Sequence, residues 1–449
     1  MSRSSAATDY EAACSVRARF FELAQRLEHE LKAGETLLCN YSGERSDFVR
    51  FNRGRVRQAG SVAQGYLSLR LIRGQRQASA SLSVGGDDLA TEKETLARLR
   101  GILDDLPEDP WLLINQTPQS STSERRGALL SADAVTEEII GKAQGRDLVG
   151  IYAAGTIQRG FANSLGQRNW HEVDSFNFDW SLYLEADKAV KSGYAGFDWD
   201  RSVFESRLNA AEQQLTNLGT ARRTIEPGDY RVYLAPRALE ELTGLLAWGG
   251  FSARSRATRQ SPLLRMQEGG MLSPIVTMLE NTAEGIAPGF QGDGFVKPPR
   301  VVLVENGALR DALVSARSAK EYGLAPNAGR ESPEALEVGP GGLETGQVLE
   351  ALDTGLYVSN LWYLNFSDRA AGRITGMTRF ATFWVERGRI VAPVTPMRFD
   401  DSVYRMLGAS LIDFTREREL LLDPSTYGER STSSSRLPGV LLASLKFTL

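Results

Sequence analysis

The side chains best suited to bind a metal or to act as a general base are scarce in this sequence. Histidine occurs twice, as His29 and His171, and cysteine occurs twice, as Cys14 and Cys39. Zinc sites draw their ligands from clusters of such side chains, and a serine nucleophile needs a base that a third group orients. Four scattered residues therefore predict neither zinc chemistry nor His-assisted hydrolysis by this chain alone.

Both histidines fit structural roles. His29 lies off the apolar stripe of a helical pattern over Val16–Leu31, which predicts a solvated position. His171 lies in Asn169–Glu185, where aromatic and polar residues alternate as in a β-strand. A lone histidine in a strand usually has a structural role, and we interpret His171 in this way.

The segment most suggestive of chemistry is a predicted strand and helix at Tyr230–Phe251. A zinc peptidase would use such a helix to present two histidines and an adjacent glutamate base. The predicted helix, Pro236–Trp248, contains Glu240 and Glu241 but no histidine. We therefore interpret it as a buried helix with its leucines in the core. Neither a P-loop nor a G-x-S-x-G sequence occurs in the chain.

The composition is that of a water-soluble protein with few special features. The chain has 449 residues, 42% of them hydrophobic and 24% charged, and its net charge is -4. This acidic balance argues against a nucleic-acid partner, and we interpret Arg254, Arg256 and Arg259 as solvated surface residues. No apolar run approaches the ~20 residues of a membrane helix, and the polar segment Met1–Tyr10 does not resemble a secretory signal. We expect a cytoplasmic protein.

The elements that would position these residues form two units. In the first, a helix precedes a period-two pattern at Thr36–Ser83, which predicts an antiparallel meander with turns near Ser42-Gly43, Asn52–Gly54 and Arg73-Gly74. Leu67, Leu69 and Leu71 would share its buried face. Further helices are predicted at Asp88–Leu106, Ser131–Gln144 and Asp200–Leu218, and aromatic-rich strands between Leu148 and Asp187.

The second unit is strand-rich. Strands are predicted at Tyr230–Leu234, Ile275–Leu279, Arg300–Glu305, Gly355–Trp362, Phe380–Val385 and Val440–Phe447, and short helices at Leu309–Tyr322 and Thr345–Leu352. The sequence thus predicts an α+β protein, in which an N-terminal helix and antiparallel-sheet domain (residues 1–222) precedes a barrel-like C-terminal domain (residues 223–449).

Three stretches of the second half resemble the TldD/PmbA family, also described as modulators of DNA gyrase. They are Gly289–Gly329, which begins GFQGDG, then Gly355–Pro393, which begins GLYVSNLWYLNF, and the closing segment Leu437–Leu449. The predicted helix, meander and second helix of the first half also agree with the first domain of the family. The resemblance covers nearly the whole chain and rests on many weak positions.

The resemblance implies a function through what this chain lacks. TldD-type chains carry H-E-x-x-x-H on the helix corresponding to Pro236–Trp248 and a Cys-Gly ligand near the C-terminus. Here that helix has no histidine, and the nearest counterpart of the second ligand is Tyr427-Gly428. This departure matches the PmbA (TldE) branch. It implies a subunit without catalytic or metal-binding residues of its own, whose TldD-type partner holds the zinc, in a complex that cleaves short or unfolded peptides.

Two alternatives remain open at this point. The chain could instead be a homodimeric peptide-binding or regulatory protein without protease activity, and sequence does not exclude an enzyme that uses carboxylates alone. The residues that could line a peptide cavity are Trp362, Tyr363, Arg379, Phe380 and Tyr427. At strand spacing, however, aromatics such as Trp362, Tyr363, Phe380, Phe383 and Trp384 are more often core residues.

Overall fold

The computed structural model describes residues 3–84, 90–186 and 188–448, and within these ranges it describes side chains from residue 16 onwards. The predicted starting point of the second helix at Asp88 and the predicted strand end at Asp187 lie outside the described residues. The architecture is α+β, as predicted, and strands predominate over helices. Each helix among the described residues is too short or too polar to cross a lipid bilayer.

The first half of the chain forms one mainly antiparallel sheet with helices packed on it. Its elements in chain order are α1 (Arg3–Glu28), β1 (Glu35–Asn52), β2 (Arg55–Arg73), β3 (Arg76–Ser83), α2 (Ala90–Leu103), β4 (Ser121–Arg125), α3 (Ala132–Lys142), β5 (Asp147–Asn163), β6 (Arg168–Glu185), β7 (Lys188–Gly196) and α4 (Arg201–Leu218). The strand order is β3-β2-β1-β5-β6, and β4 and β7 both pair with β6.

The predicted meander is present, and its buried face is the predicted one. Leu67, Leu69 and Leu71 are at most 1% exposed and pack against α1 and α2. The turn predicted near Ser42-Gly43 is wrong, because β1 continues through it. Gly43 pairs with Gly65 of β2, and the ring of Tyr41 covers both glycines where a Cβ would stand. These glycines therefore make room for an aromatic ring within the sheet.

The second half forms a larger sheet. Its elements are β8 (Gly228–Leu234), α5 (Pro236–Ala247), α6 (Ala253–Ala257), α7 (Leu264–Gln267), β9 (Met278–Glu280), β10 (Val301–Glu305), β11 (Ala308–Leu309), α8 (Ala316–Tyr322), β12 (Ala335–Val338), a 3-10 turn (Thr345–Gln347), α9 (Val348–Leu352), β13 (Gly355–Asp368), β14 (Arg373–Glu386), β15 (Arg389–Pro393), β16 (Arg398–Ser402), a π-helical turn (Arg405–Ala409), β17 (Leu411–Leu422) and β18 (Ser434–Phe447).

Part of this sheet closes on itself. Strand β8 pairs with both β13 and β18, and the path β8-β13-β14-β16-β18 returns to β8. Helix α5 packs against β13 and β18. The remaining strands extend from β18 through β12, β9 and β10 to the edge strand β11. The prediction of a barrel-like, strand-rich second half is thus confirmed in its architecture.

Two predicted elements of the second half are largely wrong for local reasons. The strand predicted at Ile275–Leu279 is reduced to Met278–Glu280, since a turn in which Val276 donates to the Ser273 carbonyl precedes it. The helix predicted at Leu309–Tyr322 is restricted to α8. Its first residues instead extend the edge of the sheet, where Arg310 and Asp311 donate to the carbonyls of Leu303 and Val302. Pairing with the neighbouring strand β10 here overrides the helical pattern.

The two sheets share apolar contacts. Phe383 and Ala381 of β14 are fully buried within the core that Phe178 and Phe204 form in the first half. A smaller cluster joins Ile157 and Val173 of the first sheet to Ile286 and Leu422 of the second half. Any site near these contacts is therefore positioned by both halves of the chain.

Candidate functional site

Helix α5, the segment singled out in the sequence, borders an open groove of about 460 Å³. We call this groove the α5 groove. Its other walls come from β13 at Asn360 and Leu364, from the loop between β17 and β18 at Asp423 and Pro424, and from Lys191 of the first sheet. Both halves of the chain thus contribute to the groove.

The amphipathic sequence of α5 determines which residues face the groove. Pro236 stands at the first turn, where its missing N–H costs no helical hydrogen bond. One side of the helix is in the core through Ala238, Leu239, Leu242 and Leu246. The other side presents polar and small residues to the groove, namely Arg237, Glu240, Glu241, Thr243 and Gly244. The interpretation of α5 as a core helix is therefore correct for one face only.

Charged side chains hold α5 to the first sheet. Asp179 of β6 lies between two cations, with its Oδ1 3.4 Å from Arg237 Nη1 and its Oδ2 3.3 Å from Lys191 Nζ. Arg237 reaches this position because residue 193 is glycine. A Cβ at residue 193 would occupy the place of the Arg237 guanidinium. The groove therefore has a fixed, charge-paired end.

The two glutamates of α5 have raised pKa values. Burial raises the pKa of Glu240 from 4.5 to about 7, and the nearby carboxylates Glu241 and Asp179 add to this, while Arg237 opposes it. Burial also raises the pKa of Glu241, although its surface is open to solvent, so we expect the effect there to be small. Glu240 is thus a carboxyl group that exchanges its proton near neutral pH.

The groove does not have the donor set of a zinc site. Its lining contains carboxylates, hydroxyls and two cations, but neither histidine nor cysteine, and lysine and arginine would repel a metal ion. Among the described residues, no group of three His, Cys, Asp or Glu side chains is arranged to hold a metal. The residues of α5 therefore do not fit the zinc that TldD-type chains hold on the corresponding helix.

The histidines and the described cysteine lie elsewhere. His29 is exposed, as predicted, in the turn that follows α1. His171 is buried on β6, with its Nε2 3.1 Å from the Ile286 carbonyl, and burial lowers its pKa to about 4, so that it is neutral at pH 7. Cys39 is buried in the first sheet, and burial raises the pKa of its thiol. The side chain of Cys14 lies outside the described residues.

Four of the five predicted cavity residues form one exposed cluster on β13 and β14. The guanidinium of Arg379 lies 4.0 Å from the ring centre of Trp362 and 5.1 Å from that of Phe380. Tyr363 packs edge-on against Trp362. Trp362 and Tyr363 are 47% and 76% exposed, so these two are not core residues. Phe380 and Tyr363 both have positive φ, and the strand register shifts near each of them.

The fifth predicted residue, Tyr427, lies apart from this cluster. It is 99% exposed, on the loop between β17 and β18. None of the five predicted residues is among those described as lining the α5 groove, whose own lining includes Glu240, Glu241 and Lys191. In the sequence, that wall is indicated by Glu240, Glu241 and Gly244, which interrupt an otherwise apolar helix.

The loop that carries Tyr427 is anchored on the first sheet by a buried arginine. Arg430 donates to the Ser175 hydroxyl at 2.7 Å and to the Gly155 carbonyl at 3.1 Å, and its own N–H donates to Glu44. Burial lowers the pKa of Arg430 to about 10, and Glu44 opposes this. The sequence offers no signal for this contact, because its partners lie more than 250 residues away.

The next residues of the loop are held as well. Glu429 accepts a hydrogen bond from Ser42 and forms an ion pair with Arg159 at 3.2 Å. Gln64 donates to the Gly428 carbonyl at 2.6 Å. The loop therefore presents Tyr427 from a fixed backbone, and it supplies one wall of the α5 groove at its beginning and its end.

These features define an α+β protein in which the mainly antiparallel sheet of the first half and the partly closed sheet of the second half together border an open, polar groove. Residues 227–449 match the family described as the PmbA/TldA metallopeptidase C-terminal domain. The chain belongs to the TldD/PmbA family.

Several solved structures have the same fold. They include TldE from Thermococcus kodakarensis (14% identity, TM-score 0.80, covering 96% of this chain and 100% of that one). A candidate modulator of a DNA gyrase from Thermotoga maritima matches at 15% identity and TM-score 0.75, covering 96% and 99% of the two chains. A third, from Bacteroides thetaiotaomicron, is also described as a candidate gyrase modulator (16%, 0.74, 95% and 98%). No curated protein sequence matches the chain.

Proposed function

We propose that this chain is the non-catalytic subunit of a cytoplasmic, TldD/TldE-like heteromeric zinc metallopeptidase that cleaves short or unfolded peptides. The partner would be a TldD-type chain that carries the zinc. The observation that carries the proposal is the groove-facing side of α5. There the helix that corresponds to the peptidase helix of TldD-type chains presents Glu240, Glu241 and Gly244 beside the cations Arg237 and Lys191. This polar wall has neither a histidine nor a cysteine to bind zinc.

The chemistry of metallopeptidases supports this division of labour. A zinc-bound water needs its ligands and its base on one chain only, while a second chain can enclose the cavity and exclude bulk water. The α5 groove, at about 460 Å³, has room for a few residues of an extended peptide. Its serine and asparagine side chains and its mixed charges offer hydrogen bonds to a peptide main chain rather than to one particular side chain.

Reconstitution with a relative that carries H-E-x-x-x-H tests the proposal. The purified chain alone is expected to contain no stoichiometric zinc by elemental analysis and to leave an unstructured peptide uncut. The one-to-one complex is expected to hydrolyse that peptide and to lose activity with a chelator. A partner with both motif histidines replaced by alanine is the matched control, and its complex should form but remain inactive.

The alternative, a homodimeric peptide-binding or regulatory protein, gives different results in the same experiment. It predicts that light scattering shows a stable homodimer which does not exchange subunits with the relative. Chelator-sensitive hydrolysis by this chain alone would contradict both proposals.

A further inference from the structure

A cleft of about 1120 Å³ lies away from α5, beside the edge of the second sheet. It is bordered by α6, by β10, by the segment between β11 and α8, and by the segment that follows α8. Much of its lining is apolar, including Val301, Val302, Val314 and Leu324. Three arginines also line it, and they are Arg256, Arg300 and Arg310.

These three arginines differ in whether a carboxylate pairs with them. Arg310 forms an ion pair with Glu305 at 3.1 Å. Arg256, which the sequence suggested to be a solvated residue, is half-buried, and one of its Nη atoms donates to the backbone carbonyl of Asp311. Its Nε is buried without a hydrogen-bond partner. Among the described residues, no carboxylate lies within ion-pair distance of Arg256.

Arg300 is also without a carboxylate partner in the described part of the chain. It is exposed, and its Nε makes only a long contact of 3.4 Å with the Asn281 side chain. Burial lowers the pKa of Arg256 to about 10, and the Asp311 carboxylate opposes this. A guanidinium in such a setting gains most from a planar anion that satisfies two of its N–H groups together.

We propose that this cleft binds an organic carboxylate with an apolar body, such as the C-terminal end of a peptide that finishes in hydrophobic residues. Arg256 would bind the carboxylate through its guanidinium, and Arg300 would add a second positive charge at the mouth. Val302 and Leu324 would contact the apolar body. The site lies outside the α5 groove, and the proposal does not depend on a peptidase role.

The size and the composition of the cleft favour this ligand over a bare inorganic anion. Small-molecule sites commonly occupy about 300–1,000 Å³ and combine apolar walls with a few convergent polar groups. A phosphate or sulfate would satisfy the arginines but leave Val302 and Leu324 in contact with water. A carboxylate on an apolar chain satisfies both parts of the lining.

Calorimetry on the full chain tests the proposal with two matched probes. N-acetyl-leucyl-phenylalanine has a free carboxylate, and its C-terminal amide has the same body without the charge. We expect the acid to bind at least about tenfold more tightly than the amide, because hydrogen bonds to a charged group contribute at least this much to affinity. Inorganic phosphate should compete at least about tenfold more weakly than the acid, because it lacks the apolar contact.

Three variants complete the test. Arg256→Met should remove the preference for the acid, and Arg300→Met, at an exposed position where folding is not at risk, should weaken acid binding about threefold. Arg259 comes from the same region of the chain, but it pairs with Glu268 and lies outside the cleft. Arg259→Met therefore makes the same change in net charge and should bind the acid like the unmodified chain. Equal binding of acid and amide, undiminished acid binding by a folded Arg256→Met chain, or phosphate competing as well as the acid would overturn the proposal.

Discussion

Replacing Glu240 by glutamine gives the most direct test of the electrostatics of the α5 groove. Glutamine keeps the shape of the side chain but cannot ionise. In the folded chain the pKa of Glu240 is raised from 4.5 to about 7, so the folded state binds this proton more tightly than the unfolded state does. The contribution of Glu240 to the stability of the folded state is therefore fully present below pH 4.5 and is lost as the pH rises through 7.

The size of the effect follows from the two pKa values. A carboxyl group whose pKa rises from 4.5 to about 7 destabilises the folded state by up to about 3 kcal/mol once it is fully ionised. Since the Glu240 side chain is half-buried and faces an open groove, solvent screening reduces this to about 1–2 kcal/mol. We therefore expect Glu240→Gln to be more stable by about 1–2 kcal/mol at pH 8.5 and equal to the original chain at pH 4.

Urea unfolding at a series of pH values from 4 to 8.5 measures this difference. His171 titrates in the same range with the opposite sign, since its pKa is lowered from 6.5 to about 4 and its contribution to stability is lost as the pH falls. Because His171 is present in both proteins, its effect cancels when one free energy of unfolding is subtracted from the other. Glu94→Gln, on the exposed face of α2, controls for the loss of a surface carboxylate. A difference that is independent of pH, or a less stable Glu240→Gln at pH 8.5, would refute the reasoning.

Three further substitutions probe other parts of the structure. Arg430→Met leaves the Ser175 hydroxyl and the Gly155 carbonyl without their donor and removes the cation near Glu44, so urea unfolding should show a loss of about 3 kcal/mol or more. Phe383→Ala empties a fully buried position between the two halves and should cost about 3–5 kcal/mol in the same assay. Trp362→Ala removes an exposed ring and one cation–π contact, so thermal unfolding should show a change of less than about 1 kcal/mol. If the Trp362 cluster contacts peptide, the same variant should raise the KM of the reconstituted complex about fivefold without changing its kcat.

Local sequence patterns predict the elements whose own residues decide their structure. Helix α4 begins one residue after Asp200, whose side chain accepts hydrogen bonds from the N–H groups of Ser202 and Val203, and it ends before Gly219, as its pattern predicts. The alternation at Leu67, Leu69 and Leu71 likewise identifies a buried face from a few adjacent positions. In these segments, periodicity and capping agree with the tertiary contacts.

Patterns fail where distant residues decide the outcome. Gly43 looks like a turn residue, but Tyr41 and the facing Gly65 make it part of a continuous strand. Arg256 looks like one of three surface arginines, yet the sheet edge at Asp311 draws it into a cleft. The division into domains at residues 222 and 223 stays a prediction. The groove itself could be predicted only in part, since α5 is visible in the sequence and its opposing walls are not.

Strand β6 of the first sheet connects those opposing walls. Ser175, Asn177 and Asp179 are two residues apart and so lie on one face of the strand. Ser175 accepts from Arg430 of the loop at 2.7 Å, Asn177 donates to the Leu422 carbonyl at 3.4 Å, and Asp179 lies 3.4 Å from Arg237 of α5.

The width of the α5 groove is therefore set by a strand of the first half, although the family match at residues 227–449 lies entirely in the second half. A change on β6 that leaves α5 intact should move the loop and the helix relative to each other. For this reason a truncated second half, even if it folded, would not reproduce the groove of the full chain.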